Sequence, residues 1–249
     1  MPKIFLSPST QEFNGYINGG NEELYMNLVA DAMEPYLRAT GISFERNNPD
    51  EPLREAIAAS NAYRPDLHLA LHSNAAPPAL SGRLQGIDAY YYATSQPGLR
   101  AATVFANNLK EIYPNPALVR TVSNTSFAEL RAVNAPSVLL ELGYHDNVQD
   151  AQWIRDNINL IAENLVVSLA DYFGIPFLLP QDSRSARVTT QGGNLNIRSQ
   201  PSPEATIIAQ APNGSPITVT GRIGEWYAVV FNDLTGYAAV RFITLDGAQ

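Results

Sequence analysis

The sequence predicts an α/β domain with a mostly parallel sheet and helices on both faces, followed by a small all-β barrel. Three observations lead there. Strand-like apolar runs alternate with segments of helical period up to about residue 173, the pattern of βαβ units. Two of the runs, "LHLAL" and "VLLEL", are nearly continuous in apolar residues, as strands covered on both faces should be. Beyond Phe173 the helical period vanishes and short strand-like pieces alternate with Gly- and Pro-bearing turns.

"KIFL" at residues 3–6 reads as a short buried strand, followed by the polar loop "SPSTQEFNGYINGGN". A helix comes next, with Leu24, Leu28, Val29, Ala32, Met33, Tyr36 and Leu37 as its apolar positions. Asn21 is its expected N-cap, with Glu22 and Glu23 in the first turn, and Gly41 its stop. Residues 42–46 read as a strand, 52–62 as a helix, 66–72 and 86–92 as strands, 96–112 as a helix and 137–144 as a strand. One long helix is expected from about 148 to 173. The prolines and lack of period in "GIPFLLPQDSRSA" make 174–186 a linker. The expected organisation is a domain over 1–173, that linker, and a barrel over 187–249 built from "RVTT", "LNIRS", "TIIAQ", "ITVTG", "WYAVVF" and "GYAAV".

Composition narrows the function. The 249 residues are 45% hydrophobic and 16% charged, which is globular. A net charge of -8 argues against a nucleic-acid partner, which needs a basic face. With no cysteine, disulfides, thiolate zinc sites and a Cys nucleophile are excluded. "MPKIFLSPST" does not read as a signal peptide, and no run is long enough to span a membrane, so no membrane insertion is expected.

Ligands of open α/β sheets bind beyond the carboxyl ends of the strands. "SPSTQE" and then Glu23 follow the first strand, His72-Ser73-Asn74 ends another, and Glu141 with "LGYHDN", bearing His145 and Asp146, ends a third. Imidazole with carboxylate is a zinc-type ligand set, and a further carboxylate beside it is the usual general base. His72 is therefore a candidate ligand. A carboxylate directly after "SVLL" must be paired, protonated or bound to something, which singles out Glu141. His68 lies four residues before His72, roughly 13 Å away along a strand, too far to share one metal, and reads as structural.

These residues carry a resemblance. "LHSNA", "SVLLELGYHDN" with "DAQWI", and "GGNEELYMNL" resemble the zinc-dependent N-acetylmuramoyl-L-alanine amidases of amidase type 3, over residues 3 to about 173 and in family order. The tail "LNIRSQPS … WYAVV … TGYAAVRFI" is similar to bacterial SH3-type wall-binding domains. The resemblance implies a peptidoglycan hydrolase, an autolysin-like enzyme. It would cleave the amide between N-acetylmuramic acid and L-alanine, with Zn2+ as cofactor and the glycan strand and stem peptide as partners. It implies action at the cell wall, outside the cell. Glu23 and His72 map onto zinc ligands and Glu141 onto the catalytic carboxylate.

The family's Asp-Pro-Gly-His loop reads Ser7-Pro8-Ser9-Thr10 here, so Thr10 stands where the first zinc ligand belongs. His145 is the expected third ligand, with Gln11, Glu12 and Asp146 as weaker options; a second reading is a site that binds metal weakly or binds another metal. Asn74 and Thr10 are expected substrate contacts, and Trp226, Tyr227 and Tyr237 candidate liners of a peptide groove in the barrel. The rival reading is a catalytically inactive peptidoglycan-binding protein.

Overall fold

The computed structural model describes residues 2–181 and 183–246. Asp182, in the expected linker, and the outermost residues of the two expected domains, 1 and 247–249, lie outside the described residues. The chain forms two compact units. One comprises Lys3–Glu34 and Phe44–Phe173, the other Met1–Pro2, Pro35–Ser43 and Gly174–Gln249.

The first unit is built on a six-stranded sheet of β1 (Lys3–Pro8), β2 (Ser43–Arg46), β3 (Leu67–Asn74), β4 (Ile87–Tyr92), β5 (Val119–Asn124) and β6 (Ser137–Tyr144), in the order β2-β1-β3-β6-β4-β5. β1, β3 and β6 run parallel. β4 is antiparallel to β6, and β5 is parallel to β4. A parallel return needs a crossover helix, and the stretch between Asn74 and Ile87 holds only a three-residue helical turn, Pro78–Leu80.

α1 (Glu22–Thr40) starts where Asn21 Oδ1 accepts from Leu24 N at 2.8 Å. It stops at Gly41, whose φ of 81 ends the helix in left-handed backbone. Of its expected apolar positions Val29, Met33 and Leu37 are fully buried, together with Met26 and Ala30, while Leu24 and Leu28 are 47% and 40% exposed. α2 (Leu53–Tyr63) and α3 (Gln96–Lys110) fall close to expectation. The long helix expected at 148–173 is two, α5 (Val148–Asp156) and α6 (Ile158–Phe173). Asn157 separates them with φ -123 and ψ 24, its Nδ2 donating to Trp153 O. One strand and one α-helix of this unit lack a sequence counterpart, β5 and the single turn α4 (Ala128–Arg131).

In-register neighbours on adjacent strands present side chains to the same face. His68, Ala70 and His72 of β3 thus share a face with Ser137, Leu139 and Glu141 of β6 and with Asp88 and Tyr90 of β4. α4 packs on this face, where Leu130 and Phe127 meet Ala70, Leu139, Tyr90 and Tyr92. On the other face Leu69, Leu71, Val138 and Leu140 are fully buried.

The second unit carries an antiparallel sheet of β7 (Arg184–Val188), β8 (Leu195–Arg198), β9 (Ile207–Ala211), β10 (Pro216–Ile223), β11 (Trp226–Phe231), β12 (Leu234–Ala239) and β13 (Ile243–Leu245), in the order β13-β7-β10-β11-β12-β8-β9. β7 begins at Arg184, within the stretch read as linker. Asn232 and Asp233, at φ 48 and 60, close the two-residue β11–β12 hairpin, the backbone such turns require. Val188, Ile197, Ile217 and Val229 centre its core. Gly236 fits there because an added Cβ would collide with Ile197 Cγ2. Among the described residues no helix is long and apolar enough to cross a membrane.

Candidate active site

His72 is the hub. Its Nδ1 lies 2.9 Å from Glu22 Oε1 and its Nε2 3.0 Å from Glu129 Oε2. Glu22 reaches it because position 22 lies four residues before Met26 and seven before Val29, on the buried stripe of α1. Asn14 Nδ2 donates to Glu22 Oε2 at 2.6 Å. Burial pushes the Glu22 carboxyl up, but the bonds from His72, Asn14 and Ser9 and the His72 charge outweigh it, so it titrates below the usual glutamate range. Burial pulls His72 down, and the bonds to Glu129 and Glu22 with the surrounding carboxylate charge more than reverse it, holding the imidazole protonated well above its ordinary value.

Glu129, on α4, is the group that sequence reasoning missed. Its Oε1 accepts from Ser7 Oγ at 2.6 Å and lies 3.2 Å from His68 Nε2, while Oε2 meets His72. The two histidines, too far apart for one metal, share one carboxylate instead. His68 is fully buried, with Ser60 Oγ 2.9 Å from its Nδ1 and Phe5 stacked on its ring. Burial would raise the Glu129 carboxyl, but hydrogen bonds and charge from His68 and His72 hold it far below the carboxylate range. The one signal in the sequence was a lone Glu inside the apolar "FAELRAV".

Glu141 stands beside His72 in register. It lies inside β6 rather than at its end, and its Oε2 is sealed from solvent with no hydrogen-bond partner. Burial pushes its carboxyl up to about 8; His72 opposes this, while Glu22, Asp88 and Glu129 add to it. A half-buried carboxyl with one sealed, unpartnered oxygen and a titration close to neutrality is suited to taking and returning a proton.

The other expected residues stand elsewhere. Glu23 is one position off the buried stripe, and the described contacts do not join it to His72. Burial and the charges of Glu12 and Asp50 raise its carboxyl above the usual glutamate range. His145 is buried with its Nδ1 3.1 Å from Ser73 Oγ and 2.9 Å from Ser73 O, and Tyr16 stacks on its ring. Asp146 is committed to the 76–82 loop, accepting from Ala76 N, Ser81 Oγ and Gly82 N. Glu12 is exposed. Asn74 accepts at Oδ1 from Ala75 N, and its carbonyl takes His145 N. Thr10 is half-buried, and its neighbour Gln11 brings Nε2 to 3.3 Å from His72 Nδ1.

A catalytic zinc takes three protein ligands and a water. Here Glu22 and His72 meet, a neutral amide from Gln11 is third, and His145 is bound to Ser73. Among the described residues no three His, Cys, Asp or Glu side chains are arranged to hold a metal ion. The donor set does not fit a three-ligand zinc.

The sequence matches the N-acetylmuramoyl-L-alanine amidase family, Amidase_3, over residues 10–171. The chain belongs to this family. Residues 193–244 match the bacterial SH3 domain. No curated protein matches the chain in sequence. Among solved structures it is similar to the N-acetylmuramoyl-L-alanine amidase AmiC2 of Nostoc punctiforme, at 18% identity and TM-score 0.61, covering 70% of this chain and 97% of that one. It is similar to the catalytic domain of CwlV, an N-acetylmuramoyl-L-alanine amidase from Bacillus (Paenibacillus) polymyxa var. colistinus, at 18% and 0.60, covering 71% and 100%. It also resembles Ami1 from Mycobacterium smegmatis, at 19% and 0.59, covering 70% and 97%. At these identities the likeness establishes the fold.

The SH3 unit has a concavity of its own, a cavity of about 690 Å³ whose lining includes Leu195, Arg198, Trp226, Arg241 and Phe242. Of the aromatics expected to line a groove, Trp226 does so, whereas Tyr227 and Tyr237 belong to the core. Tyr237 donates its hydroxyl to Thr40 O at 2.6 Å.

Proposed function

We propose that this protein hydrolyses the amide joining N-acetylmuramic acid to L-alanine in peptidoglycan. The observation that carries this reading is Glu141: a half-buried carboxyl whose sealed Oε2 has no partner, in register with a histidine that two other carboxylates hold protonated. Water adds to the lactyl carbonyl as its proton passes to Glu141. The C–N bond then breaks, and Glu141 returns the proton to the leaving amine of L-alanine. The products are a lactyl carboxylate and a free peptide amine. His72 is the fixed positive charge beside the developing oxyanion, oriented by Glu22 and Glu129 in a water-poor setting where such charge counts most. Zinc is what the family implies. Here it would need a ligand beyond Glu22 and His72, so every step above rests on the chain's own groups.

The SH3 unit, through the Trp226 cavity, would hold the enzyme against its insoluble substrate and raise its local concentration there. The wall is therefore its expected place of action.

The test is digestion of purified peptidoglycan by wild type and Glu141→Gln, with products read by mass spectrometry. Wild type should release peptides beginning with L-alanine, and the variant should lose at least about a hundredfold in rate. The incomplete zinc set favours a second reading, a wall-binding protein without hydrolysis. Co-sedimentation with the wall and no released peptide from either form would establish it.

A further inference from the structure

A straight row of charged residues crosses the sheet through the site. His72 is in register with Glu141, Glu141 with Asp88, and Asp88 with Arg120. Register partners share a face, so all four side chains rise on the side where α4 and Glu22 close the site. The row runs cation, carboxyl, carboxylate, cation. His72 and Glu141 belong to the proposed chemistry; Asp88 and Arg120 are unassigned.

Asp88 is buried, 3% exposed, and grips the guanidinium side-on, Oδ1 to Nε at 2.8 Å and Oδ2 to Nη2 at 2.9 Å. Tyr90 Oη also donates to Asp88 Oδ2, at 3.3 Å. The Arg120 side chain is 59% exposed, and among the described residues its Nη1 has no hydrogen-bond partner. A buried carboxylate thus aims a rigid guanidinium outward with one N–H edge to spare. Such an edge is built to take a second carboxylate.

Its distance from the chemistry sets what it meets. Strands are spaced about 4.8 Å apart, so the Cα of Arg120 lies about 10 Å from that of Glu141. Asp88 draws the guanidinium back toward Glu141. An extended peptide advances about 3.3–3.6 Å per residue. We infer that Arg120, held by Asp88, binds a free carboxylate on the second residue of the stem peptide and sets a preference for stems in which that carboxylate is not amidated. This rests on the hydrolase reading and names its substrate class.

The experiment uses the full chain and two soluble probes, an N-acetylmuramoyl tripeptide with a free α-carboxylate on its second residue and the same compound amidated there. Wild type should favour the acid by about tenfold in kcat/KM, the worth of one charge-assisted bond. Arg120→Gln should erase the preference by raising KM for the acid, with kcat and the amide little changed. It leaves Asp88 buried without its cation, so Asp88→Asn/Arg120→Gln, which restores a neutral pair, is run beside it and should give the same loss of preference. Equal rates on both probes in wild type, or an Arg120→Gln loss equal for both, would overturn the inference. If wild type cleaves neither probe, the hydrolase reading fails, and calorimetric binding decides this one. An acid preference that disappears in Arg120→Gln sustains it, and no preference refutes it.

Discussion

Glu141→Gln should make the first unit more stable at neutral pH while removing its activity. In the folded chain burial pushes the Glu141 carboxyl up to about 8, against an ordinary 4.5 in the unfolded chain. Between those values the unfolded chain gives up a proton that the folded chain keeps. The stability this group contributes is complete below pH 4.5 and is lost as pH rises to about 8, at about 1.4 kcal/mol per pH unit. By pH 7 the accumulated loss is roughly 3 kcal/mol as an upper figure. Glutamine has nearly the same volume and no charge to desolvate. The variant should match wild type near pH 4.5 and exceed it by roughly 1–3 kcal/mol at pH 7, once the lost contacts are discounted. Amide hydrogen exchange on β3 and β6, with chelator present, reads this without interference from the SH3 unit. A difference that does not change with pH, or a variant less stable at pH 7, would refute the electrostatic account of Glu141.

Three further outcomes follow from the same geometry. Glu22→Gln should cut activity at least tenfold and lower the His72 titration seen by NMR, whereas Glu23→Gln should leave both within about twofold, since charge-assisted bonds contribute roughly 1.5–3 kcal/mol. His145→Ala should leave the metal content by elemental analysis at the wild-type value while costing about 1–3 kcal/mol in stability, because its ring is tied to Ser73 and stacked on Tyr16. Trp226→Ala should reduce retention on sedimented walls about tenfold and leave cleavage of soluble fragments unchanged, as loss of an aromatic anchor in a binding cavity predicts.

Much of the fold was legible in the sequence because the buried strands announce themselves by composition. "LHLAL" in β3 and "VLLEL" in β6 are nearly continuous apolar runs, and the barrel strands are spaced by turn residues. β5 was not legible: in "VRTVSN" only Val119 is buried, so the strand is held by pairing with β4 and carries no periodic signal. α4 is too short for a period and exists because Leu130 and Phe127 pack on the sheet. The site divides in the same way. His72 and Glu141 could be read as polar groups embedded in apolar strands. Glu23 is what the resemblance implies; in the structure Glu22, not Glu23, shares the buried stripe of Met26, Val29 and Met33, and Leu24 and Leu28 lie off it. Glu129 required tertiary contact, since its histidine partners lie 61 and 57 residues away and Ser7 lies 122 away.

The charge inventory explains why Glu141 is the reactive group. Three glutamates surround His72, and each would lose free energy on burial unless something donates to it. Glu22 has Asn14 and His72; Glu129 has Ser7, His68 and His72. Both are thereby held ionised. Glu141 is left with a sealed, unpartnered oxygen and the charges of Glu22, Asp88 and Glu129 around it. Its proton is therefore held up to about pH 8, and the deprotonated fraction present near neutrality is the base. The partners that saturate Glu22 and Glu129 make those residues poor bases, and the absence of a partner makes Glu141 a group whose proton is exchangeable near neutral pH. Supplying Glu141 with one hydrogen-bond donor would lower its titration toward that of its neighbours and weaken it as a base, with no change in the position of the carboxyl.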